Sequence, residues 1–67
     1  MDKLKQELYR AALYHRRQCQ RLIAALGEWD SLVDIERAKF KALYDVIVEA
    51  ELENEYLRWA KKQEATV

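Results

Sequence analysis

Apolar positions recur along the first third of the chain with helical spacing. Leu4, Leu8, Ala12, His15, Cys19, Ile23 and Leu26 follow one another at steps of four, four, three, four, four and three, with Ala11 and Leu22 alongside. That spacing marks one face of an amphipathic α-helix. A second stripe, Val33, Phe40, Leu43, Ile47, Ala50 and Leu57 flanked by Tyr44, is heptad-like and places Glu36, Asn54 and Lys61 in the same register. A polar residue at such a seam can fix register and partner number in a coiled coil.

Between the stripes lies one strong break, Gly27-Glu28-Trp29-Asp30-Ser31. Gly27 suits the left-handed position that closes a helix, and Asp30 or Ser31 can cap the next, with Ser31 and Asp34 as a weak capping box. The pattern therefore predicts a single all-α domain over residues 1–67: a helix over about 2–26, a loop over about 27–30 and a helix over about 31–63. A connection that short makes the helices antiparallel neighbours, with Trp29 over the loop. From Val46 to Glu55 the residues also alternate apolar and acidic, as a half-buried strand would, but no second strand exists to pair with it.

Two helices burying one stripe each seldom suffice at 67 residues. The C-terminal half carries a further stripe, Val48, Leu52, Tyr56 and Trp59, about 160° from the first at 100° per residue. In one continuous helix a single antiparallel partner cannot cover both. The expected architecture is thus a two-helix antiparallel hairpin that dimerises into a four-helix bundle, or that docks on another protein.

Composition narrows the chemistry. One Gly, no Pro and one Cys leave no turn punctuation for an all-β fold, no disulfide and no four-ligand zinc module within one chain. No apolar run reaches the length of a membrane span, and the first residues lack the apolar core of a signal peptide, so a cytoplasmic location and no membrane partner are expected. Charge is zero overall yet split: residues 1–27 hold six bases and two acids, residues 28–67 six bases and ten acids. In an antiparallel hairpin the basic half faces the acidic one, which favours that pairing and weakens with salt.

Four groups of residues could carry function. His15 and Cys19, one turn apart, share a face as two metal ligands would, but they also sit on the core stripe, and no metal or cofactor is expected. Arg10, Tyr14, Arg17 and Arg21, at steps of four, three and four, form a basic stripe with an interleaved aromatic, a pattern that can track phosphates and stack a base. The same stripe also serves as an ordinary solvated face. Asp45, Glu49, Glu51, Glu53 and Glu55 form an acidic run. Val48, Leu52, Tyr56 and Trp59, bordered by Glu49, Glu53 and Glu55, read as the centre of an interface, where Tyr and Trp are enriched. The expected function is accordingly that of a non-enzymatic interaction or regulatory protein acting through this apolar and acidic face. The alternative is a nucleic-acid-binding regulator using Arg10, Tyr14, Arg17 and Arg21.

Overall fold

The computed structural model describes residues 2–65, and three helices account for nearly all of them: α1 (Lys3–Leu26), α2 (Ser31–Glu49) and α3 (Glu53–Ala65). Asp2 caps α1 by accepting a hydrogen bond from the Leu4 amide at 3.1 Å, and Asp30 caps α2 by accepting from the Leu32 amide at 2.9 Å. Ser31 lies inside α2, so the Ser31–Asp34 capping box does not form. Gly27 closes α1 at φ 91°, where side chains other than glycine's are strained, and donates its amide hydrogen to the Ile23 carbonyl at 2.9 Å.

The expectation of one helix over 31–63, and with it the two-helix hairpin and its four-helix dimer, is overturned by a corner at Ala50–Leu52. Three backbone hydrogen bonds close it. The Ala50 amide donates to the Val46 carbonyl at 3.0 Å, Glu51 to Val48 at 3.0 Å, and Leu52 to Ile47 at 2.9 Å. The last two form a Schellman motif, in which the residue after the cap adopts the left-handed conformation. Here that residue is Glu51, at φ 59°, where a glycine is usual. Leu52, the next residue, packs against the core that holds Ile47, the apolar contact that accompanies such a motif. Glu53 and Glu55 then occupy the first turn of α3, where acidic side chains complement the helix dipole.

The corner explains both anomalies of the pattern. Leu52, Tyr56 and Trp59 of the stripe 160° out of phase do not point outward, because the chain turns and brings them back over α1, while Val48, ahead of the corner, stays exposed. The alternation across Val46–Glu55 straddles the turn and reports neither strand nor continuous helix.

The core follows from this arrangement. Tyr9, Ala12 and Leu13 of α1, Ile47 of α2, and Tyr56 and Ala60 of α3 form one buried cluster, with Leu8, Phe40, Leu43, Tyr44, Leu52 and Trp59 packed against it. Tyr9 and Leu13 lie beside the expected α1 stripe, because α1 buries an arc facing two helices where a hairpin would bury one. The ends of the expected stripe, Leu4 and Leu26, are exposed, as are Ala50, Asn54, Leu57 and Lys61, which lose their register beyond the corner. Trp29 stands 90% exposed at the α1–α2 turn and does not cover the loop. No helix among the described residues is long and apolar enough to cross a membrane.

The two turns make opposite predictions. Glu51→Gly relieves a left-handed side chain and should raise stability by about 1 kcal/mol. Gly27→Ala, although its new Cβ would meet nothing within 4 Å, imposes backbone strain and should cost about 1–3 kcal/mol. Urea midpoints followed by circular dichroism check both, with unchanged slopes showing that the denatured state is not the cause.

Candidate nucleic-acid interface

The basic stripe of α1 forms one wall of the groove between α1 and α3. Helix α3 begins against the N-terminal half of α1, where Glu55 Oε2 accepts hydrogen bonds from Lys5 Nζ at 3.1 Å and from Tyr9 Oη at 2.9 Å. One turn on, the Trp59 ring lies 5.7 Å from that of Tyr9, and the helix ends with Gln63 and Glu64 near Arg17 and Arg21. The space left between the two helices is an open groove of about 290 Å³ lined by Arg10, Leu13, Tyr14, Arg17, Gln18, Arg21, Trp59 and Gln63. A shallower depression continues from it along Arg17, Gln20, Arg21 and Glu64.

All four residues of the stripe, Arg10, Tyr14, Arg17 and Arg21, thus line a single concave surface. Among the described residues no carboxylate lies within ion-pairing distance of Arg10, Arg17 or Arg21. Among the described residues these three arginines thus form no ion pair, although Glu64 shares the adjoining depression with Arg17 and Arg21. Tyr14 is more than half exposed and its hydroxyl accepts a hydrogen bond from Gln18 Nε2 at 2.8 Å, which orients the ring beside the arginines. Trp59 and Leu13 supply the apolar part of the lining. The sequence pattern gives no link between Trp59 or Gln63 and this stripe, because the link exists only once the corner at 50–52 folds α3 back.

The apolar and acidic face expected on the second helix is dispersed by the same corner. Tyr56 has no exposed surface, and its ring packs 5.4 Å from Tyr9 and 6.0 Å from Tyr44. Leu52 and Trp59 are half-buried against the core, while Val48 and Glu49 stay exposed at the end of α2. Glu55 is engaged by Lys5 and Tyr9, and Glu53 lies near the Tyr44 hydroxyl. Val48, Leu52, Tyr56, Trp59, Glu49, Glu53 and Glu55 therefore do not share one open surface, and the reason is intramolecular burial of the stripe's centre. Asp45 and Glu51 of the acidic run are exposed and separate.

His15 and Cys19 are also apart in role. His15 Nδ1 pairs with Glu36 Oε2 at 2.8 Å across α1 and α2, and Lys39 reaches the other oxygen of Glu36 at 3.3 Å. Cys19 is a free, partly exposed thiol. Among the described residues no three His, Cys, Asp or Glu side chains gather as a metal site would need. The Tyr56 hydroxyl is buried without a hydrogen-bond partner among the described residues, a cost the core carries for placing that ring at its centre.

No protein-family model matches the chain, and no curated protein or solved structure is significantly similar to it.

The ties that hold α2 and α3 on α1 make stability depend on pH at both extremes. Hydrogen bonds from Lys5 and then Tyr9 hold the Glu55 carboxyl below its ordinary value of 4.5, and hydrogen bonding to His15 does the same for Glu36. Their contribution is complete above about pH 4.5 and is lost as pH falls through the lower folded values. Burial, reinforced by the Glu55 carboxylate, pushes the Tyr9 hydroxyl from 10.0 up to about 12. Its contribution is complete below pH 10.0 and is lost as pH rises towards about 12. Glu55→Gln should flatten the acid limb of thermal melts and bring the Tyr9 titration, read by tyrosinate absorbance, back towards 10. Unchanged limbs in this variant would show that Glu55 does not tie α3 to α1.

Proposed function

We propose that the protein binds single-stranded nucleic acid along the α1–α3 groove. The observation that carries this reading is the convergence of three arginines, none in an ion pair among the described residues, with the exposed ring of Tyr14 and the half-buried ring of Trp59 on one concave surface. Along α1, Arg10 and Arg17 are separated by about 10 Å, and Arg17 and Arg21 by about 6 Å, from the rise of 1.5 Å per residue. Three guanidinium groups spaced in this way can follow a phosphate backbone, and the rings offer stacking platforms that accept any base. The groove is short and bounded by α3, which suits a strand better than a duplex. The apolar lining of Leu13 and Trp59 rewards an unstacked base and gives nothing to a paired one.

Overall neutrality bears on strength. A chain with no net charge gains little long-range attraction for a polyanion, so the local basic wall has to supply it. Binding should then be modest and steeply dependent on salt. The reading based on the second apolar stripe has less support, since its central residue Tyr56 is inaccessible.

The test is fluorescence anisotropy with labelled single-stranded RNA and DNA, and with a duplex of the same sequence, across a salt series. Contact of three phosphates on a single strand predicts a slope of log K against log salt of about −2. Arg10→Ala, Arg17→Ala and Arg21→Ala should each lower the magnitude of that slope, and Tyr14→Ala should weaken binding without changing it. Absence of binding to any of these probes at the lowest salt ends the proposal. Preference for the duplex overturns its single-strand part.

A further inference from the structure

Helix α2 carries a second pattern on an exposed face about 120° around the helix from its core-facing residues. Leu32, Ile35, Lys39, Ala42, Val46 and Glu49 follow one another at steps of three, four, three, four and three. All six are exposed, with Leu32, Ile35 and Val46 each about half accessible, at 50%, 51% and 52%. An alternating three–four spacing over two and a half heptads is the seam of a coiled coil, and its apolar members here meet no part of the chain's own core. The inward-facing residues of α2, Val33, Phe40, Leu43, Tyr44 and Ile47, form a separate face. The helix is thus apolar on two sides, and the fold covers only one.

From this face we infer that the protein forms a homodimer in which α2 packs antiparallel against α2 of a second copy. The charges along the seam select both the occupant and the direction. Lys39 sits near the middle, while Asp45 and Glu49 lie towards the C-terminal end, and none of these acids has an ion-pair partner among the described residues. A parallel pair would set Lys39 against Lys39 and Glu49 against Glu49. An antiparallel pair sets Ile35 against Val46, Lys39 against Ala42, and Leu32 at the level of Glu49. Each Lys39, which pairs with Glu36 of its own chain at 3.3 Å, then lies about 4.5 Å in helical rise from Asp45 of the other copy, against about 9 Å in a parallel pair, so the antiparallel direction is the one that gives each lysine a facing carboxylate. A lysine at a single central seam position is also a known way of fixing register at some cost in strength. The seam spans about 25 Å of helix, and with a charged side chain in four of its six layers its association is weak. The seam contains no residue of the groove lining, which comes from α1 and α3 alone, so the basic grooves stay open in the dimer, and this inference stands whether or not they bind nucleic acid.

Sedimentation equilibrium over about 10 µM to 1 mM tests it on the intact chain. The expected result is a rise from the 8.0 kDa monomer mass towards twice that value. Ile35→Glu should move the half-association concentration upward by tenfold or more. Since Ile35 is exposed, the variant should keep the helicity and melting temperature of the dilute protein. In a Cys19→Ser background, Leu32→Cys chains mixed with Glu49→Cys chains should cross-link under mild oxidation, while Leu32→Cys chains alone should not, being about 25 Å apart in this register. A mass of 8.0 kDa throughout the series, a dimer indifferent to Ile35→Glu, or ready cross-linking of Leu32→Cys to itself would overturn the proposal.

Discussion

Ring packing at Tyr56 depends on a reversal of the chain six residues earlier, at the corner closed by the amides of Glu51 and Leu52. Without that corner α2 and α3 would be one rod, Tyr56 and Trp59 would face solvent, and α1 would have a single neighbour. With it, Tyr9 meets Tyr56 and Trp59, Glu55 reaches Lys5 and Tyr9, and a groove forms along the basic side of α1. The apolar contact of Leu52 with the core is therefore the constraint from which the rest of the architecture follows. It holds even though Glu51 carries backbone strain that glycine would avoid.

The core so formed is small and aromatic. Tyr9, Tyr44, Tyr56 and Trp59 pack with ring centroids 5.4 to 6.2 Å apart, in edge and tilted arrangements except for Tyr56 and Trp59, whose rings stack at 29°. Large rings give a short chain more buried area per residue than aliphatic side chains do. They also bring hydroxyls inside. Tyr9 directs its own to Glu55, whereas Tyr56 has none of the described residues to direct it to. The partly buried His15–Glu36 pair plays for α1 and α2 the part that Glu55 plays for α1 and α3, a polar tie between helices that the apolar contacts alone would leave free to slide.

Much of this was legible in the sequence, and the rest was hidden for a definable reason. Helical content, both ends of α1, the start of α2 at Asp30 and the basic stripe all follow from local periodicity and capping chemistry, which act within a few residues. The corner at Ala50–Leu52 has no Gly or Pro to announce it. Its one signal is a phase jump, from Ile47 to Leu52, a step of five where a continuous stripe takes three or four. That step is the spacing of the apolar pair in a Schellman turn. The 160° displacement of the second stripe is incompatible with one partner on one side of a continuous helix, but a bend in the chain satisfies it as well as a second molecule does. The groove shares this fate. Its α1 wall is visible as a pattern, whereas Trp59 and Gln63 join it only through tertiary folding.

The strained corner also has a consequence for what the groove can hold. Helix α3 is short, and beyond its buried rings it is tied to α1 through Glu55 and to α2 through the corner, so its release is a smaller event than unfolding of the whole chain. A chain with α3 released keeps the arginines but loses one wall of the groove. Occupancy and closure are then linked quantities: any ligand that touches both walls tightens α3 by the same factor by which a loosened α3 weakens the ligand. The apparent affinity of the site is its intrinsic affinity scaled by the fraction of molecules with α3 in place. A backbone angle at Glu51, which lies outside the groove lining, would thereby set part of the affinity for any ligand held by both walls.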